Sequence, residues 1–402
     1  MPTVQRKLSR SFKAFFDSEK SSGILLVICT AISLALANSA IGADYLGIWH
    51  GYIAGLSVEH WVNDGLMAIF FLLIGLELKR ELYTGELSNF KNALLPIVAA
   101  LGGIVVPALI HLSLNSGSPT QPGIGIPMAT DIAFALGALA ILGNRVPASL
   151  KVFVVAFAVI DDLCAIVVIA VFYTAKLSIA YLLAALVIWF ILAAIGQFTN
   201  IRSLKPYLIG GVLMWFLMLQ SGVHATIAGV LVAFAIPSSE TGEDASSPSH
   251  VLEHVLHKPV AFLILPVFAL CNTGIIIGSN WTQELSSANS SGILAGLVLG
   301  KPFGVTLFSF LAVTIGICRL PLDLNWRHIF GAGILGGIGF TMSIFITNLA
   351  FTGNAEIINA SKMAILLASF TAGTIGFIWL RLFGQANASD KDLDTLDYET
   401  ID

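Results

Sequence analysis

Charge is what this sequence has least of. Asp, Glu, Lys and Arg together make up 11% of its 402 residues, against roughly 25% in an ordinary soluble domain. That scarcity excludes a water-facing surface of the usual extent. The twenty Lys and Arg form no basic stripe, so nucleic acid is not an expected partner. No phosphate-binding glycine loop occurs, so no nucleotide is expected and no organic cofactor is implied. The four cysteines, Cys29, Cys164, Cys271 and Cys318, sit in apolar segments without Cys-x-x-Cys spacing. That argues against zinc and disulfides and for small buried hydrophobes. A cleaved signal is not expected either, because Leu34-Ala35-Leu36-Ala37-Asn38 leads straight into further apolar sequence.

What the chain has instead is apolar length. Hydrophobic residues make up 56%, and the mean hydropathy is +0.88. Apolar runs of about twenty residues recur, each long enough to cross a bilayer. The expected fold is an all-α polytopic membrane protein in contact with lipid. Twelve spans are predicted, at 22–38, 62–82, 93–113, 122–143, 150–173, 178–198, 205–219, 222–236, 252–275, 292–313, 328–350 and 357–383. Only Gln220-Ser221-Gly222 separates the seventh from the eighth, and a ten-span count that merges them is the main rival. Basic residues favour the cytoplasmic side. With both termini inside, every Lys and Arg falls on that side except Lys176 and Lys362 outside and Lys301 within a span. Merging spans seven and eight would spoil this bias.

Three connections are long. Residues 39–61 hold an alternating, glycine-containing stretch from Ile48 to Val58, which reads as an outer β-hairpin or an unstructured loop. Residues 237–251 are rich in Ser, Glu and Pro and read as a flexible inner loop. Residues 384–402 form an acidic tail expected to be disordered.

The informative residues are charges that lie inside spans. Each costs ~2.5–3.5 kcal/mol at the bilayer centre, so it needs a partner or a task. Val152 to Tyr173 carries Asp161 and Asp162 at its middle and no other charge. Neighbouring helical residues point about 100° apart. One carboxylate can thus face a cavity while the other faces a neighbouring helix, and the two titrate as a pair. Asp131 is the tenth residue from Pro122, after Thr130 and shortly after Pro127. Proline disturbs a helix, and broken helices in lipid survive only where protein buries them or they line a cavity. Thr130 offers oxygens to a hard cation. Lys301 is the tenth residue from Gly292 and needs a counter-charge, for which Asp161 or Asp162 is the candidate.

Gly331, Gly333, Gly336, Gly337 and Gly339 mark either a second broken helix or close helix packing. If spans three to five and ten to twelve are inverted repeats, the interrupted members, spans four and eleven, occupy matching places. Such a pair points to a transport site. The bland alternative is a buried salt-bridge network. An intramembrane aspartyl protease is a rival from another class, but the chain has no Gly-x-Gly-Asp around its aspartates. A cation channel is a third reading.

These residues carry a family resemblance. It runs over residues 20–383 and rests on Asn63-Asp64-Gly65-Leu66-Met67-Ala68, Phe70 to Glu77, Ala129-Thr130-Asp131-Ile132-Ala133-Phe134-Ala135 and Ile160-Asp161-Asp162-Leu163. Ser221-Gly222-Val223-His224-Ala225-Thr226, Gly300-Lys301-Pro302 and Gly337 to Phe345 complete it. The sequence resembles NhaA-type sodium/proton antiporters, a family that is itself a known example of inverted-repeat transporters.

The resemblance implies that Asp161 and Asp162 bind sodium (or lithium) and protons, and that Lys301 pairs with Asp161. It implies that Thr130 and Asp131 lie where two broken helices cross. It implies a core within 93–173 and 292–383, an interface domain within 22–82 and 222–275, and homodimers through a hairpin near 45–60. It implies electrogenic, pH-regulated exchange rather than enzyme catalysis, in a bacterial inner membrane with cytoplasmic termini. The pH-sensing positions it implies are Glu77, Arg80, Glu81, Glu253, His254 and His257. By spacing alone, Glu77, Arg80 and Glu81 share one helix face, and a surface ion-pair cluster is the simpler reading. The chain departs from the family at Ser247-Pro248-Ser249-His250, where many relatives are basic. Asp64, His224 and Gly339 also belong to shared motifs, and Asp64 and His224 read as braces of outer helix ends.

Overall fold

The computed structural model describes residues 10–174, 177–198, 203–238 and 247–385. Lys176, Arg202, residues 239–246 of the expected inner loop and the expected tail from residue 386 lie outside them. Helix dominates, as it must where lipid offers the backbone no hydrogen-bond partner.

Helix α1 (Arg10–Ala37) is followed by α2 (Gly42–His50), and the chain bends by 114° between them. Strands β1 (Tyr52–Ile53) and β2 (Leu56–Ser57) pair antiparallel, Tyr52 opposite Ser57. Ala54 and Gly55, both at positive φ, make the tight turn between them. The hairpin is thus shorter than the alternation from Ile48 suggests, because residues up to His50 are helical. An i,i+4 contact explains the outcome. The Tyr45 and Trp49 rings meet edge to face at 6.0 Å, and the Tyr45 hydroxyl donates to the Leu270 carbonyl at 2.7 Å.

The chain continues through α3 (Val58–Tyr83), α4 (Phe90–Asn115), a 3₁₀ arm (Gln121–Met128), α5 (Ile132–Leu142), α6 (Ala148–Phe172) and α7 (Ile179–Phe198). Then come α8 (Lys205–Ser221), α9 (Ile227–Ala235), α10 (Pro248–Asn272), α11 (Trp281–Ser286) and α12 (Ala288–Thr314). Helices α13 (Trp326–Gly336), α14 (Phe340–Ala350) and α15 (Ala355–Phe383) end the described chain.

Among the described residues, eight helices are long and apolar enough to cross a membrane, and up to ten if each bent pair counts as one span. The expected seventh and eighth spans are α8 and α9, of 17 and 9 residues. A single helix crosses with about twenty, so length and composition by themselves account for up to ten of the expected twelve. Lys362, assigned to the outer side, is buried two turns into α15.

Among the described residues, three helices contain wide π-helical turns, at Trp61–Leu66, Val260–Ile264 and Gly296–Gly300. The last two have a physical cause. Pro266 and Pro302 follow each by two residues, and a proline ring clashes with the carbonyl four residues earlier. Those carbonyls, at 262 and 298, lie inside the wide turns. α4 packs along α12 and α6, and α9 along α3. At the first of these crossings Gly102 meets Gly304: a Cβ on either would run into the other's carbonyl oxygen. α7 lies at the periphery, with Leu183, Val187, Phe190 and Ile191 exposed to the lipid.

Candidate functional site

Two chain breaks cross at the centre of the molecule. The 3₁₀ arm ends at Met128, and Ala129 to Asp131 run extended before α5. α13 stops at Gly336 and α14 restarts at Phe340, bent by 46°. Gly337 brings the second break against α12, since a Cβ there would collide with the Leu297 carbonyl. The breaks touch directly: Asp131 N donates to the Ile338 carbonyl at 2.6 Å.

Breaking a helix leaves orphan N–H groups at one end and orphan carbonyls at the other. Asp131 serves two N-termini at once. Its Oδ1 accepts from Phe134 N at 3.2 Å, the first turn of α5. Its Oδ2 accepts from Thr341 N at 3.0 Å and Thr341 Oγ1 at 2.6 Å, the first turn of α14. A negative charge there also complements both helix dipoles. Hydroxyls serve the carbonyl ends. Thr130 Oγ1 donates to the Gly336 carbonyl at 2.8 Å, and Ser343 Oγ to that of Ile126 at 2.7 Å. Ser369 Oγ accepts from Phe340 N at 3.1 Å.

Lys301 enters from α12, directly after its wide turn. Its ammonium donates to Asp161 Oδ2 at 2.7 Å and to Thr130 Oγ1 at 2.9 Å. It lies 5.6 Å from the centroid of the Phe157 ring. None of its side chain, nor that of Asp161, is exposed. Asp162 is equally deep, at 1% exposure, and its Oδ1, like Asp161 Oδ1, has no hydrogen-bond partner among the described residues. Asp162, Asp131 and Thr341 line a cavity of about 40 Å³ whose other wall includes Glu77, His257, Phe70 and Leu265. That space holds about three waters or one small cation with part of its shell.

The structure therefore brings Thr130, Asp131, Asp161, Asp162 and Lys301 into one centre. Glu77 and His257 share its cavity, with His257 Nδ1 4.0 Å from Glu77 Oε1. Arg80 pairs with Glu253 and with Glu81, the latter at 3.0 Å. His254 stands exposed at the edge of this cluster. Asp64 meets His60 at 3.0 Å, and His224 Nε2 lies 2.8 Å from the Tyr173 carbonyl. Neither lines the cavity. Gly339 opens α14, where a Cβ would collide with Ser343.

Sequence reasoning missed Thr341, Ser343 and Ser369. A detectable signal existed: hydroxyls in apolar spans beside a predicted break, where orphan backbone groups need partners.

The chain matches the Na+/H+ antiporter 1 family over residues 13–380. It is 68% identical over 385 residues to a Na+/H+ antiporter NhaA of Dechloromonas aromatica, covering 96% of this chain and 99% of the relative. It is 57% identical over 376 residues to one of Cytophaga hutchinsonii, covering 94% and 96%. To one of Sulfurimonas denitrificans it is 43% identical over 431 residues, covering 94% and 97%.

Proposed function

The chain belongs to the Na+/H+ antiporter family, and from that premise we propose that it exchanges cytoplasmic sodium, or lithium, for external protons at Asp161 and Asp162. One observation carries this reading. Asp162 Oδ1 is buried against a small cavity and accepts no hydrogen bond from any described residue. A buried carboxylate oxygen left unpaired is costly, and either a proton or a cation relieves the cost. That is the chemistry of competitive exchange.

In the proposed cycle sodium reaches deprotonated Asp162 through the cavity lined by Glu77 and His257. Lys301 releases Asp161, which joins the site, with Thr130 as a further oxygen donor. Motion of the core, 93–173 and 292–383, against the interface, 22–82 and 222–275, then opens the site outward. Protons displace sodium there, and the neutral site returns. Two proton-carrying groups per sodium make the exchange electrogenic. The Glu77, Arg80, Glu81, Glu253 and His257 cluster lies at the cavity's approach and supports pH regulation, with His254 beside it.

The side rich in Lys and Arg is the cytoplasmic one in this reading. That supports cytoplasmic termini, a bacterial inner membrane and twelve spans in inverted repeats, with α8 and α9 as a short pair. A protease reading has no support in the geometry, because Asp131 caps two helices and Lys301 occupies Asp161.

Reconstituted vesicles test the proposal. Sodium added to acid-loaded vesicles should collapse the pH gradient, at a rate that responds to an imposed potential and to pH. Asp162→Asn should abolish the collapse. A signal that survives in that variant refutes the site, and a rate indifferent to potential refutes electrogenic exchange.

A further inference from the structure

Three side-chain amides from three helices meet in a chain. Asn348 Nδ2 on α14 donates to Asn272 Oδ1 at 2.7 Å. Asn272 Nδ2, at the end of α10, donates to Asn63 Oδ1 on α3 at 2.7 Å and to the Phe268 carbonyl at 3.1 Å. Asn272 is 1% exposed and uses both amide hydrogens and its oxygen. Amides in apolar spans are costly unless paired, so this arrangement asks for a reason.

Its position supplies one. Asn63 is fourteen residues from Glu77 on the same helix, about 20 Å. Asn272 is likewise at the far end of α10 from His257. Asn348 lies seven residues beyond Thr341, about 10 Å along α14. All three amides thus sit on the side of the centre away from the cavity of Glu77 and His257. Between them and the centre the Phe71 and Phe345 rings pack at 5.5 Å, both buried. Phe71 belongs to α3 and Phe345 to α14, so on the side away from that cavity these two elements meet through the rings and, by way of Asn272, through the amides.

We infer that Asn348, Asn272 and Asn63 form the outer latch, which holds the exit shut while the site is open toward Glu77. The inference rests on the exchange reading above. Asn63 and Asn272 lie on helices assigned to the interface and Asn348 on one assigned to the core. The Asn348–Asn272 hydrogen bond is therefore the one that must break when the core moves. Its chemistry suits a reversible closure. A neutral amide pair gains only a modest net free energy over hydration. It re-forms without moving a charge, whereas an ion pair in the same place would compete for the transported cation.

The test uses a cysteine reporter. Thr347 is buried beside Asn348, and among the described residues its hydroxyl bonds only within its own helix, to the Ser343 carbonyl at 2.8 Å. Thr347→Cys, with the four native cysteines replaced by Ala, is labelled in intact cells by a membrane-impermeant thiol reagent. Asn348→Leu should raise the labelling rate roughly fivefold, the size of one neutral hydrogen bond. Asn272→Leu should do the same, and the double variant should label no faster than either. The apparent KM for sodium from the Glu77 side should change little, because the outward-open state remains the minor one and most molecules still face that side. The maximal rate should hold.

Unchanged labelling in the single variants, or rates that multiply in the double, overturns the latch. So does a lost maximal rate without faster labelling, the mark of a merely structural role. Should Asn348→Leu fail to reach the membrane, Asn348→Ser is too short to bridge and carries the same expectation. Labelling needs no transport, so the latch and the exchange reading fail separately.

Discussion

Lys301 places an ammonium in the middle of α12 with no exposure, and only its partners make that tolerable. Removing one member of a buried pair costs ~3–5 kcal/mol, mostly because the other charge is stranded. Lys301→Met should therefore destabilise the protein by about that much, read as detergent-solubilised thermal unfolding. Adding Asp161→Asn should recover most of the loss. A double variant no more stable than Lys301→Met would show that Asp161 is not the stranded partner. The demand for a counter-charge was legible in the sequence, since a lone lysine at mid-span has few alternatives. The choice between Asp161 and Asp162 was not. It depends on the rotation of α6 about its own axis, and that rotation is set by packing against α4, α5 and α3. Thr341 was hidden for a related reason: its bond to Asp131 joins residues 210 apart in sequence.

At the scale of the elements, the site depends on how closely helices approach. α4 and α12 cross at Gly102 and Gly304, and Gly304 is one turn beyond Lys301. Gly304→Ala drives a Cβ into the Gly102 carbonyl. A cost of ~1–3 kcal/mol is expected from such overpacking. Because the helix that carries Lys301 must shift, the sodium dependence of exchange should change along with the melting temperature. Gly47→Ala, which meets open space, serves as the control and should leave both unchanged. Normal stability and sodium dependence in Gly304→Ala would mean the crossing does not position Lys301. The broken spans were foreseeable from proline and clustered glycine at mid-span, although α4 runs unbroken through Pro96 and Pro107. The wide turns were not foreseen, although Pro266 and Pro302 mark two of them. The helix at Gly42–His50 was missed because its short alternating stretch fits a strand equally well until Tyr45 finds Leu270.

For the whole molecule, the small hairpin is the feature most in need of a neighbour. Two-residue strands are marginal alone, and Tyr52 is 79% exposed. If the hairpin joins two copies, replacing Tyr52 and Ile53 by Ser should lower the dimer fraction seen by cross-linking or native mass spectrometry. Exchange per chain should persist, since the centre lies within one chain. An unchanged dimer fraction would remove the hairpin from the interface. Length alone supports at most ten spans, while the distribution of Lys and Arg favours twelve. The two differ over α8 and α9, which are too short to cross singly and pack against α7 and α3 within the bundle.

The sequence alone determined the membrane class, the mid-span position of Asp131, Asp161, Asp162 and Lys301, and where helices could break. Those follow from composition, from a rise of about 1.5 Å per residue and from the missing N–H of proline, all local quantities. Only the tertiary structure decided which carboxylate Lys301 holds, that Asp131 caps two half-helices, and that Asp162 faces the cavity with an unpartnered oxygen. Those depend on helix rotation and crossing, which are fixed by contacts between residues far apart in the chain.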